Sequence, residues 1–122
     1  MLALHDMLNN GDVMNRDYLE EFINQLKELM NVSNKKDYVQ DGRGSYLKVI
    51  YLENLILEAK ELIKYGECKI ALENMLENLN EVSILLDKDI VNLARQAFGE
   101  QITMYMDELL KTLTEQGEMN VN

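Results

Sequence analysis

Apolar side chains recur at intervals of three and four along most of this chain, and no proline interrupts the pattern. A period of 3.6 residues gathers such side chains on one face of a helix, whereas a strand needs alternation. Without proline, helices must be separated by glycines and polar clusters. The separators are Asn9-Asn10-Gly11-Asp12, then Ser33-Asn34-Lys35-Lys36-Asp37 running on to Gly42-Arg43-Gly44, then Gly66, Leu86-Asp87 and Gly117. No internal repeat or low-complexity block is visible.

Over residues 17–32, Leu19, Phe22, Ile23, Leu26, Leu29 and Met30 form one stripe, and Asn15 or Asp17 can cap the start. A second helix is expected from a Ser45 cap to Tyr65, with Gly66 as its stop. Leu47, Val49, Ile50, Tyr51, Leu52, Leu55, Ile56, Leu57, Leu62 and Ile63 cover most of its circumference, which predicts a central helix with neighbours on several sides. Residues 46–52 have strand-like composition, but the pattern through Glu58, Lys60 and Glu61 places them in the helix.

A third helix over residues 67–82 carries Ala71, Leu72, Met75, Leu76, Leu79 and Val82 on one face. The last begins at Asp87 or Lys88 with Ile90, Leu93, Ala94, Ala97 and Phe98. It is expected to continue through Ile102, Tyr105, Leu109 and Leu113, bent or briefly broken at Gly99. Residues 2–8 can add a short first helix. The pattern predicts an all-α fold, a bundle of four to five mostly antiparallel helices forming a single helical domain over residues 1–122.

A chain of 122 residues with 47% apolar content can bury a core without cross-links. Cys68 is the one cysteine, which excludes an intramolecular disulfide and suits a cytoplasmic setting. The N-terminal run lacks a positive segment and meets Asp6 and Asp12, so no signal peptide is expected. No apolar run approaches the length of a membrane span, so no membrane partner is expected. Twenty-two acidic against twelve basic residues give a net charge of −10, which argues against direct nucleic-acid binding and favours a basic partner. Such a charge also keeps a small protein soluble. Residues 46–122 carry −7 of it and residues 1–45 carry −3.

No catalytic residue is expected. Metal sites in bundles use Glu-x-x-His pairs, but the sole histidine, His5, has no glutamate three residues before it. His5 and Cys68 together cannot make a four-ligand zinc site, and Cys68 lies beside Glu67, which disfavours a thiolate. Gly42-Arg43-Gly44 is too short for a phosphate loop. No cofactor is implied. The eight methionines read first as core filling, and secondarily as adaptable surface.

One pattern exceeds composition. Glu73, Glu77 and Glu81 are spaced i, i+4, i+8 and form a ladder nearly opposite the Ala71-Met75-Leu79-Val82 stripe. Like charges at that spacing cost roughly 0.2–0.5 kcal/mol per pair, with only Lys69 placed one turn before Glu73 to relieve them. Asn74 and Asn78 lie alongside. The ladder can mimic a phosphate backbone toward a cationic cleft, or it can simply be a solvated face. With Glu67, Asp87 and Asp89 at the flanks, these residues make the candidate partner-binding set.

The stretch Lys64-Tyr65-Gly66-Glu67-Cys68-Lys69-Ile70-Ala71-Leu72-Glu73-Asn74-Met75-Leu76-Glu77-Asn78-Leu79-Asn80-Glu81 resembles the bacterial immunity proteins of polymorphic toxin systems. The similarity is to the MafI-like group and to helical immunity proteins of contact-dependent inhibition. Gly66-Glu67, Ala71-Leu72-Glu73 and Glu77-Asn78-Leu79 carry it, and it covers about residues 53–98. The resemblance implies a protein that binds the C-terminal toxin domain of a secreted effector and blocks it in the producing cell. Many such toxins are nucleases with cationic clefts, so the implied partner is a basic cognate toxin domain. The free protein would be a monomer or weak homodimer. The competing expectation is a helical adaptor or oligomerisation module that pairs through an apolar groove.

Overall fold

The computed structural model describes residues 14–114. The short helix expected over residues 2–8, His5 and Gly117 lie outside them. Asn15 opens the first described helix, α1 (Arg16–Val32), by accepting the Tyr18 N–H on its side chain at 3.4 Å. Leu19, Phe22, Ile23 and Leu26 are its buried stripe, as the spacing predicts.

The chain then departs from expectation. Residues read as one long loop, a helix cap and, at Tyr46 and Leu47, the start of a helix form an antiparallel hairpin, β1 (Tyr38–Asp41) and β2 (Gly44–Leu47), in register from Tyr38 opposite Leu47 to Asp41 opposite Gly44. Asp41 builds the turn: its Oδ1 accepts the N–H groups of Arg43 at 2.8 Å and Gly44 at 3.1 Å. This is an Asx-type turn, which needs no left-handed residue. Ser45 is therefore a strand residue and not a cap. Helix α2 (Lys48–Lys64) starts two residues later than predicted, at a Leu47 cap without a side-chain hydrogen bond.

Gly66 ends α2 as expected. At φ +80° it lets its own N–H reach the Ile63 carbonyl and the Glu67 N–H reach that of Leu62, the two bonds of a Schellman stop. Helix α3 (Cys68–Glu81) ends with the same pair of bonds, Ser83 to Asn80 and Ile84 to Leu79. Here a serine, not a glycine, holds the left-handed position at φ +59°. A Cβ in that conformation costs roughly 1–2 kcal/mol.

The predicted last helix is two. Asp87 caps α4 (Lys88–Phe98) by accepting the Ile90 N–H at 3.0 Å. Gly99 then takes φ 55°, ψ −130°, a conformation open to glycine and hostile to side chains, and a 3-10 turn (Gly99–Gln101) follows. Thr103 caps α5 (Met104–Leu113) through the Met106 N–H. The break resets the helical phase. Tyr105, placed on the inner stripe by a continuous period, is 61% exposed, while Met106 and Leu110 are buried.

α1 packs between α2 and α4, α3 packs between α2 and α5, and α4 touches α5, so the helices close a ring around one apolar cluster. Every described helix contributes to that cluster, and no charged or polar residue among those described is buried in it. The architecture is all-α apart from the hairpin. α2 is less enclosed than its composition predicts: Leu52, Leu55, Ile56 and Ala59 are buried, but Ile50 is 46% and Leu57 59% exposed. α1, α3 and the hairpin cover it on the sides they occupy and leave this third side open. Among the described residues, no helix is long and apolar enough to cross a membrane.

The α4–α5 corner is held by charge. The Arg95 guanidinium donates to Asp107, which Lys111 also approaches at 3.7 Å. That hydrogen bond, followed by the nearby positive charges, holds the Asp107 carboxyl below its ordinary pKa. A depressed carboxylate stabilises the fold above its unfolded pKa, and the contribution fades as pH falls through the folded value. Asp107→Asn should therefore be less stable than the parent at pH 7, with the gap closing in strong acid. Denaturant titrations at both pH values measure it. Ser83→Gly should gain up to about 1 kcal/mol by relieving the left-handed serine. Urea unfolding with no gain would show that the serine is not strained.

Candidate functional site

The buried positions of α3 fix where its other side points. Cys68, Ala71, Leu72, Met75, Leu76 and Leu79 are all buried, so Glu77 and Glu81 stand in solvent and Glu73 is half-exposed. At 1.5 Å per residue the ladder spans about 12 Å. Among the described residues, none of the three carboxylates makes an ion pair or hydrogen bond. Ile70, half-exposed, shares their side of the helix.

Asn74 and Asn78, predicted to join that surface, are engaged inside the molecule. Asn74 Nδ2 donates to Glu58 Oε1 on α2 at 2.7 Å. Asn78 Nδ2 donates to the Asn74 carbonyl at 2.8 Å and to its Oδ1 at 3.2 Å. The Tyr51 hydroxyl donates to both the Asn78 carbonyl, at 3.2 Å, and its Oδ1, at 3.3 Å. The amides tie α2 to α3 and hold the ladder at a set rotation.

The flanking residues are dispersed. Glu67 caps α3 at the opposite end from Glu81, about 21 Å along the axis, and makes no side-chain cap bond. Asp87 is committed to capping α4. Asp89 lies in the first turn of α4, where a carboxylate suits the helix dipole, and faces a separate hollow with Lys88 and Arg95.

Sequence reasoning missed the cluster beside the ladder's far end. Tyr46 of β2 packs on Tyr51 of α2 with ring centroids 5.4 Å apart, and its hydroxyl donates to Asp41 Oδ1 at 3.2 Å. Asp41, Arg43, Tyr46, Tyr51, Glu58 and Asn78 line a hollow of about 310 Å³. Partial burial first, then the charge of Asp41, raises the pKa of both phenols, and Glu81 adds to the effect. Asp41 itself is held below the ordinary carboxylate value, chiefly by the Arg43 N–H. The signal that could have found this cluster is the alternation Tyr38-Val39-Gln40 and Ser45-Tyr46-Leu47 around Asp41-Gly42.

On the far side of the bundle, Lys27 and Lys60 meet across α1 and α2 in a hollow of about 290 Å³ with Asn24. Contact with Lys27, then its charge, lowers the Lys60 pKa. Among the described residues, no group of three or more His, Cys, Asp or Glu side chains is arranged to hold a metal ion. No protein-family model, curated protein or solved structure matches this chain.

Tyr51→Phe deletes the hydroxyl's contact between α2 and α3, leaving the Asn74–Glu58 bond, and should cost about 1 kcal/mol. A folded phenol with a raised pKa stabilises fully below its unfolded value near 10, and the contribution is lost as pH rises through the folded one. Ultraviolet titration of the parent should show late-ionising tyrosines, one fewer in Tyr51→Phe. An unchanged titration curve would contradict the assigned contact.

Proposed function

We propose that this chain is an immunity protein that binds and neutralises the C-terminal toxin domain of a secreted bacterial effector, in the cytoplasm of the producing cell. The observation that carries the reading is the outer face of α3, where Glu73, Glu77 and Glu81 project together without a counter-ion among the described residues. Three unpaired carboxylates repel one another along the helix, and a cationic cleft would turn that cost into attraction. A nuclease offers such a cleft, because it must hold phosphates. The net charge of −10 would speed the encounter with a basic toxin. The resemblance of residues 64–81 to immunity proteins points the same way. Asn74 and Asn78 position the face, while Glu67, Asp87 and Asp89 stand apart from it.

An adaptor that pairs through an apolar surface is the second reading, favoured by Ile50 and Leu57, seven residues apart on the open side of α2. Salt separates the two. An acidic interface associates more slowly as ionic strength rises, and an apolar one does not.

Where a large secreted protein is encoded beside this chain, co-expression with its C-terminal domain should restore growth that the domain alone abolishes. Changing Glu73, Glu77 and Glu81 together to Gln should leave the helical signal intact and weaken toxin binding at least tenfold, or about 1.4 kcal/mol. Toxicity that persists with both proteins soluble would defeat immunity against that neighbour. Undiminished affinity in the triple variant would exclude the α3 face.

A further inference from the structure

We infer that the open side of α2 is the interface of a symmetric dimer, where the helix lies antiparallel against α2 of a second copy. The inference does not rest on the immunity reading, since no residue of the α3 ladder takes part. A second copy would occupy the side on which the adaptor reading leans.

Ile50 is 46% and Leu57 59% exposed, and Lys64 continues their line, each seven residues from the last. At about 100° per residue a seven-residue step drifts only about 20°, so the three form one row. Rows at the same step flank it. Glu53 and Lys60 lie on the side toward α1, where Lys60 meets Lys27. Asn54 and Glu61 lie on the side toward α3, where Asn54 lines the hollow shared with Asn78. All five polar residues of the three rows are exposed.

Placed against itself, this surface is complementary. With a two-fold axis at Leu57, a residue before Leu57 stands about level with the one equally far after it in the other copy, and like rows meet. The two Leu57 side chains touch at the axis. Glu53, four residues before it, comes beside Lys60 of the other copy, three residues after it, and symmetry repeats the pair. On the other flank Glu61 meets the Asn54 amide in the same way. Ile50 lies along the methylene stem of Lys64. A parallel pairing would instead set Lys64 against Lys64.

The charges favour such a neighbour. Among the described residues, Glu53, Lys60 and Lys27 make no ion pair, although Glu20 lines the same hollow as the two lysines. Glu53 of a second copy would supply the counter-charge. The chain carries −10, yet α2 holds three acidic and three basic residues and is neutral. At physiological salt exposed charges are screened beyond roughly 8 Å, so the neutral helix is where two acidic copies can approach.

Sedimentation equilibrium of the full chain, from about 10 µM to about 1 mM, should show the average mass rising from one copy toward two. One helix pair is a small interface, so a dissociation constant on the order of 100 µM is expected. Leu57→Asp should weaken association about tenfold or more. Glu53→Lys and Lys60→Glu should each weaken it about fivefold, and the double variant should restore it. Circular dichroism should be unchanged in all four, since every substituted position is exposed. If Leu57→Asp fails to fold, the charge exchange decides. A mass of one copy at every concentration would overturn the inference. So would a dimer indifferent to Leu57→Asp, or single charge variants that the double variant does not rescue.

Discussion

The dry inner side of α3 is the constraint on which the rest of the molecule turns. Ala71, Leu72, Met75, Leu76 and Leu79 all fall to zero exposure, so the helix cannot rotate without wetting a core residue. Fully burying one leucine is worth roughly 1.5–3 kcal/mol, more than any surface contact in the structure can oppose. The stripe touches α2 on one side and α5 on the other. Its orientation thus sets both the seam carrying Tyr51 and Asn78 and the direction of the glutamates.

Polar contacts refine what burial decides. The chain of hydrogen bonds from Tyr51 through Asn78 to Asn74 runs at half-buried positions, where water competes less than at the open surface, and ends at an exposed bond from Asn74 to Glu58. It links the hairpin too, because Tyr46 rests on Tyr51 and holds Asp41. The acidic side of α3 and the hairpin are in this way mounted on one frame.

Much of this could be read from the residues, and the parts that could not have definite causes. The stripe of α1, the Gly66 stop and the inner face of α3 were legible because each follows from local spacing or a single permissive residue. The hairpin was hidden because its strands are only four residues long and its turn depends on the Asp41 side chain. A short alternation next to a strong helical pattern looks like part of the helix. Composition overstated the burial of α2, since Ile50 and Leu57 face outward and only packing could reveal which apolar side lacked a neighbour. The glutamate ladder was visible from periodicity. The internal use of Asn74 and Asn78 was not, because their partners lie 16 and 27 residues away in sequence.

The reversal at Gly99 has a consequence for the dimensions of the molecule. A continuous helix over residues 88–113 would run about 39 Å, while the 17-residue helices α1 and α2 run about 26 Å. Such a rod would overhang the bundle by some two turns and leave its last apolar residues with nothing to lie against. Interrupted at Gly99 and restarted at Thr103, the same residues fit within the height of the other helices. Leu113 returns far enough for its carbonyl to accept the Leu86 N–H at 2.8 Å. One glycine thereby makes the length of the chain commensurate with the size of its core.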